Sequence, residues 1–288
     1  MALLWISANE EGQYVMHDEA AAFLRSLPHS EPIGVITVVG RARTGKSFLM
    51  NRGILRLKKN DPGFQVSATV NSCTKGLWIY PEIREFTRPD GQTVKAIVVD
   101  SEGLSSCDSS TNHDTRVFAL TLLLSSFFVY NSRGNIDEAA ISDLGIITDI
   151  VKLIERRQGD SKGMKMKTSA GDAGEQDSSV HVGKMQMPFL LWVVRDFTLQ
   201  LRSRGENSQV ISELDYLKQE LNPDTCGSNK GCRLLIRDYF SEMDCLTLVR
   251  PCDKESDLCR LATLPNNKIR RPFLQGLAQL QSKIGRHM

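Results

Sequence analysis

The chain has 288 residues, 41% hydrophobic and 24% charged, which is enough to bury a core and excludes wholesale disorder. Thirty-six basic side chains against 34 acidic ones leave a net charge of +2, so no overall field draws nucleic acid or an anionic membrane, and any polyanion site must be local. The best apolar run, 117–130, falls short of the ~20 residues of a membrane helix. Residues 1–6 are apolar but lead into Asn9-Glu10-Glu11 rather than a small-residue cleavage site, and no lipidation motif closes the chain. Seven cysteines, an odd number with no C-x-x-C pair, read as reduced thiols. These features predict an intracellular protein, cytoplasmic with the nucleus as the alternative, with no integral membrane segment and no nucleic-acid partner.

In chain order, Ile33-Gly34-Val35-Ile36-Thr37-Val38-Val39 reads as a buried strand ending at Gly40. A helical pattern follows over 47–57, with Phe48, Leu49, Ile54 and Leu57 on one stripe. Residues 77–83 and 94–99 read as two strands of a hairpin around Pro89-Asp90-Gly91. A helix over 114–124 feeds a strand over 126–130, and 136–154 is the clearest amphipathic helix. Residues 189–194 predict another strand. Helices are expected over 208–221, 232–240 and 272–284, with a short strand over 245–249. Strands alternating with helices predict an α/β fold: a three-layer P-loop NTPase domain whose mostly parallel sheet carries an antiparallel edge strand and has helices on both faces. Segment 158–186 contains no Ile, Leu, Phe, Tyr or Trp and is expected to be a disordered insertion within a single domain spanning 1–288.

Gly40-Arg41-Ala42-Arg43-Thr44-Gly45-Lys46-Ser47 fits G-x-x-x-x-G-K-[ST] without a mismatch, between a buried strand and a helix. In such a loop the glycines let successive N–H groups converge on phosphate oxygens, the lysine (Lys46) reaches the β- and γ-phosphates, and the hydroxyl (Ser47) ligates Mg²⁺. Ile97-Val98-Val99-Asp100 ends a strand in an acid able to hold Mg²⁺ through water, and Gly103, three residues on, can offer its N–H to the γ-phosphate. Val193-Val194-Arg195-Asp196 ends a later strand in a carboxylate that can accept from guanine N1–H and its 2-amino group. The N-K-x-D form of many GTPases is absent.

Taken together, these stretches resemble the guanylate-binding protein family, large GTPases related to dynamins, and in detail plant or protist members. The resemblance runs from about Trp5 to Leu280. It rests on Arg43-Thr44-Gly45-Lys46-Ser47-Phe48-Leu49-Met50-Asn51, Thr74-Lys75-Gly76-Leu77-Trp78, Asp100-Ser101-Glu102-Gly103-Leu104, Leu124-Ser125-Ser126-Phe127-Phe128-Val129-Tyr130-Asn131, Arg195-Asp196-Phe197 and Arg250-Pro251. It implies a nucleotide cradle over Arg43 to Phe48, a switch threonine at Thr74 that ligates Mg²⁺, and a catalytic arginine acting in cis at Arg43. It also implies that Ser72 and Glu102 position and deprotonate the attacking water, that Arg195 and Asp196 read guanine, and that Arg250-Pro251 opens a loop capping the nucleotide and facing a second copy.

The resemblance therefore implies GTP as substrate, Mg²⁺ as cofactor, GDP and phosphate as products, and a nucleotide-dependent homodimer through the nucleotide face. Two departures bear on the dimer. Cys73 stands where many animal members have His, and Cys252-Asp253-Lys254-Glu255 replaces a basic cluster after Arg250-Pro251. The long helical region that follows this domain in relatives is not visible in the chain. The rivals are a GTP-dependent binding switch with negligible hydrolysis, acting through partners, and an ATPase built on the same loop.

Overall fold

The computed structural model of the chain describes residues 1–58, 61–66, 76–101, 111–145, 187–205, 208–224 and 228–288. Among them nine strands form one sheet: β1 (Leu3–Ala8), β2 (Tyr14–Met16), β3 (Ile33–Val39), β4 (Leu77–Ile79), β5 (Arg84–Thr87), β6 (Thr93–Ser101), β7 (Phe127–Arg133), β8 (Phe189–Arg195) and β9 (Met243–Leu248). The order across the sheet is β2-β1-β4-β6-β3-β7-β8-β9, with β5 also paired to β6. The stretch β6-β3-β7-β8-β9 is parallel throughout. The other pairings, β1 with β2 and β4, and β6 with β4 and β5, are antiparallel. The expected α/β architecture is present, and its antiparallel part is a wing of several strands rather than one edge strand.

The helices are α1 (Asp18–Arg25), α2 (Lys46–Leu49), α3 (Thr111–Leu124), α4 (Glu138–Leu144), α5 (Glu213–Glu220), α6 (Lys230–Tyr239), α7 (Glu255–Leu258) and α8 (Arg271–His287). Strand period two sorts the core onto the two sheet faces. On β8, Leu191 and Val193 join Val38, Val98 and Leu248 under Phe48 and Leu49 of α2 and Phe273, Leu277, Leu280 and Ile284 of α8. Leu190, Trp192 and Val194 point the other way, with Phe128 and Tyr130, onto Phe118 of α3, Ile141 of α4, Leu217 of α5 and Ile236 of α6. A third cluster, Trp5, Leu77, Ile79, Ile97 and Val99 with Ala20 of α1, holds the antiparallel wing. The β8 run is buried on both faces, so it reads as continuous hydrophobicity.

Several elements differ from the sequence expectation for identifiable reasons. The helix expected over 47–57 is one α-turn that widens into a π-turn over Met50–Ile54, with Leu55 N–H bonding Met50 O at 2.7 Å. Its freed carbonyls at Gly53 and Ile54 are taken by the Gln281 amide of α8, the Ile54 contact being 2.8 Å. Pro81 cuts the expected strand 77–83 short as β4, and the arm that turns into β6 is a separate strand, β5, beginning at Arg84; the turn is where Asp90-Gly91 puts it: Arg88 N–H bonds Gln92 O at 2.8 Å and Gln92 N–H bonds Asp90 Oδ1 at 2.9 Å. Only Glu213–Glu220 of 208–221 is helical, because Ser212 caps it by accepting from Asp215 N–H at 3.1 Å, while Val210 pairs with Arg202 in an antiparallel bridge. The helix expected over 136–154 starts at Glu138, its N-cap Asp137 accepting from Ala140 N–H at 2.7 Å. Its part beyond 145, and the insertion 158–186, lie outside the described residues.

Candidate nucleotide site

The parallel strands share one carboxyl edge, and the chain leaves β3 to return first on one side as β6 and then on the other as β7. Ligands of open α/β sheets gather at such a reversal point. Four sequence features meet there: the loop 40–47 after β3, Asp100 near the end of β6, Asp196 after β8 and Arg250 after β9.

The loop is held from several sides. Gly40, at φ 153°, lies so close to β7 that an added Cβ would sit 2.1 Å from Asn131 O. Gly45 enters α2 at φ 80° and Arg43 adopts φ 64°, left-handed geometry that curls the backbone between them. The Asn131 amide donates to Thr44 Oγ1 at 2.8 Å and to Thr44 O at 3.2 Å. Lys46 is 7% exposed and folds back across the loop, its Nζ donating to Gly40 O at 3.1 Å and Arg41 O at 3.2 Å. Arg41 is engaged outward in a two-pronged ion pair with Asp143 of α4, one prong 3.1 Å long. Arg43 is exposed at the loop's rim.

Asp100 continues the β6 face that carries Ala96 and Val98, which is the face α2 covers. Alternation thereby delivers its carboxylate to Ser47, whose Oγ donates to Asp100 Oδ2 at 2.6 Å. The side chain is wholly buried and, among the described residues, its Oδ1 has no hydrogen-bond partner. Burial pushes this carboxyl up to about 6, against the pull of the Lys46 ammonium, the Ser47 hydroxyl and the Ser101 N–H. A hydroxyl and a carboxylate with an orphaned oxygen, beside a phosphate loop, are the hard oxygen donors that suit Mg²⁺.

At the end of β8, neighbouring residues diverge. Arg195 continues the face of Leu191 and Val193 and runs beneath the loop, its Nη1 donating to Gly45 O at 3.3 Å. Asp196 takes a left-handed φ of 55° and accepts from Arg133 Nε at 2.8 Å. Its backbone bend is fixed on both sides, with Gly134 N–H bonding Arg195 O at 2.7 Å and Phe197 N–H bonding Leu248 O at 2.9 Å. A non-glycine residue held at positive φ stores strain that commonly marks a functional position.

Arg250 pairs with Glu255 of α7 at 2.8 Å, and Pro251 is buried, its carbonyl accepting from Arg270 N–H at 2.8 Å. Phe48 turns its ring into the core, stacked on Phe273 with centroids 6.1 Å apart, so it faces the site with backbone only. Ser72, Thr74, Glu102 and Gly103 lie outside the described residues. Sequence reasoning gave no role to Asn131, although a polar residue at the end of an apolar strand beside the loop is the signal for one. Its Oδ1, like Asp100 Oδ1, is buried without a partner among the described residues.

Residues 11–287 match the family model for the guanylate-binding protein N-terminal domain. Guanylate-binding protein 2 of Rattus norvegicus is 34% identical over 280 residues, covering 96% of this chain and 44% of that protein. Guanylate-binding protein 2 of Homo sapiens is 34% identical over 289 residues, covering 97% of this chain and 44% of that protein. Guanylate-binding protein 4 of Homo sapiens is 33% identical over 294 residues, 100% of this chain and 42% of that protein. The chain thus spans less than half the length of these curated relatives. With the loop, the Ser47–Asp100 pair and the Asp196 strand end all falling within the matched stretch, the chain belongs to the guanylate-binding protein family.

Proposed function

We propose that this chain binds GTP and hydrolyses it to GDP and phosphate with Mg²⁺. The observation that carries the reading is the Ser47–Asp100 contact of 2.6 Å, with an orphaned Asp100 oxygen and a buried Lys46 beside it, at the mouth of a G-x-x-x-x-G-K-S loop. Family membership supports it independently.

Lys46 exchanges its hydrogen bonds to the Gly40 and Arg41 carbonyls for β- and γ-phosphate oxygens. Ser47 and, through water, Asp100 would hold Mg²⁺, with Thr74 completing the set, and the metal would supply neutralising charge to the phosphate oxygens. The Asp196 carboxylate accepts from guanine N1–H and the 2-amino group, which adenine lacks. Ser72 and Glu102 orient a water whose oxygen bonds to the γ-phosphorus as the bond to the β–γ bridging oxygen breaks. The bridging pair stays on GDP and the water's proton passes to Glu102. Arg43, exposed on the loop, supplies positive charge as that bond breaks.

A second copy docks over the nucleotide face through the loop opened by Arg250 and Pro251, excludes water and holds Arg43 in place. The free thiols of Cys232, Cys245, Cys252 and Cys259 fit a reducing, intracellular and cytoplasmic setting. Among the described residues, no helix is long and apolar enough to cross a membrane. Phosphate release from GTP and from ATP, with and without a chelator of divalent ions, tests the reading. Metal-dependent release from GTP, slight release from ATP, and loss of nucleotide binding in Lys46→Ala are expected. Equal turnover of the two nucleotides would overturn it.

A further inference from the structure

A buried arginine without an acid partner needs an explanation. Arg195 is 5% exposed, and among the described residues no carboxylate is bonded to its guanidinium. Its polar contact is with Gly45 O at 3.3 Å, its Nε is buried with no partner among the described residues, and the guanidinium lies 5.3 Å from the Phe273 ring centroid of α8. The same Gly45 carbonyl accepts Leu49 N–H at 2.9 Å, so Arg195 grips the hinge where the loop becomes α2. An added Cβ at Gly45 would lie 3.2 Å from Arg195 Nη1, so the guanidinium is packed directly against the backbone of the turn. Burial draws this guanidinium down to about 10, with Asp196 offsetting part of the effect. An unpaired buried cation costs stability unless a negative charge comes to face it.

We propose that Arg195 is a positioning residue of the phosphate loop rather than a reader of the base, fixing the Gly45 turn from beneath and balancing the charge of a polyphosphate seated above it. The proposal rests on the nucleotide site described above. It divides the labour of two adjacent residues: Asp196 faces the base, and Arg195, on the opposite pleat, tightens the grip on the phosphates. One strand end therefore couples base recognition to the loop. The planar fork over the Phe273 ring makes lysine an incomplete substitute, since an ammonium keeps the charge and loses the geometry.

The test compares Arg195→Gln and Arg195→Lys with wild type and with Asp196→Asn, by calorimetry with GDP, GMP and ADP in the presence of Mg²⁺. Arg195→Gln is expected to weaken GDP about tenfold or more, the cost of a hydrogen bond from a charged donor, while changing GMP severalfold less and leaving the GDP-to-ADP preference intact. Arg195→Lys is expected to recover part of the GDP loss. Asp196→Asn is expected to do the reverse, eroding the base preference with equal losses on GDP and GMP. Unchanged GDP affinity, equal losses on GDP and GMP, or a reduced GDP-to-ADP preference in Arg195→Gln would each overturn the proposal. Should Arg195→Gln fail to fold, Arg195→Lys is judged on the same two ratios. Failure of wild type to bind any guanine nucleotide would instead reject the nucleotide site itself.

Discussion

Asp100→Asn should make the nucleotide-free protein more stable while crippling its grip on Mg²⁺ and GTP. The carboxyl is wholly buried and titrates at about 6 rather than at its ordinary 3.8. At 1.36 kcal/mol for each decade, the anion is about 3 kcal/mol less favourable inside the fold than in the unfolded chain. The sign follows from proton counting. Between roughly pH 4 and 6 the folded chain holds a proton on Asp100 that the unfolded chain has released, so stability falls as pH rises through this window, and the whole loss is present above it. An amide of the same shape keeps an acceptor for Ser47 and carries no charge. Urea denaturation without nucleotide should show the Asp100→Asn variant up to about 3 kcal/mol more stable than wild type at pH 7.5 and indistinguishable from it near pH 4. A gain of that size corresponds to a rise of about 6 °C in Tm for a domain this large. In the same preparations, Mg²⁺-dependent GTP affinity should drop at least tenfold, because a hard cation loses an anionic partner. A variant less stable than wild type at pH 7.5, or one with the same pH dependence, would refute the idea that this site holds an incompletely compensated charge in readiness for the metal.

Three further outcomes are expected. Asp196→Asn replaces an acceptor with a donor facing guanine N1–H and should cost GTP about 10–150-fold in affinity by calorimetry, with ATP affinity unchanged. Replacing 158–186 with a short Gly-Ser linker should leave GTP turnover within about threefold, since closure entropy varies slowly with loop length. Collapsed turnover with an intact melting transition would make that segment a functional element. Gln281→Ala withdraws the amide that satisfies the π-turn carbonyls of Gly53 and Ile54, and should lower stability by about 1–3 kcal/mol in urea titrations.

The parallel half of the fold was legible because its strands are buried on both faces. Residues 33–39 and 189–195 are nearly continuous apolar runs, and such runs keep their meaning whatever packs on them. The antiparallel wing was not. β1 and β2 are short, only three residues of β2 pair, and their core depends on single residues such as Trp5 meeting Leu77 and Ile97 across the sheet. The π-turn was invisible for a similar reason, since the amide that takes its carbonyls belongs to Gln281, more than 200 residues away. At the site, the spacing of Gly40, Gly45, Lys46 and Ser47 located the tight loop between β3 and α2, and strand alternation brings Asp100 to Ser47. The same alternation sends Arg195 beneath the loop with Val193, a consequence of period two that motif matching, which takes Arg-Asp as one unit, passes over. The commitment of Arg41 to Asp143 also needed the fold, because it joins the loop to a helix across the sheet edge.

The central claim is that the loop is a GTP-hydrolysing site completed by a second copy. Steady-state phosphate release per molecule, measured over a wide range of protein concentration for wild type and Arg43→Ala, tests it most directly. Turnover by wild type should rise with concentration, while Arg43→Ala should bind GTP nearly as well and lose most of that turnover, since its charge acts mainly in the transition state. A rate per molecule that stays flat across the range, with Arg43→Ala as fast as wild type, would contradict both the catalytic role of Arg43 and the completion of the site by a partner.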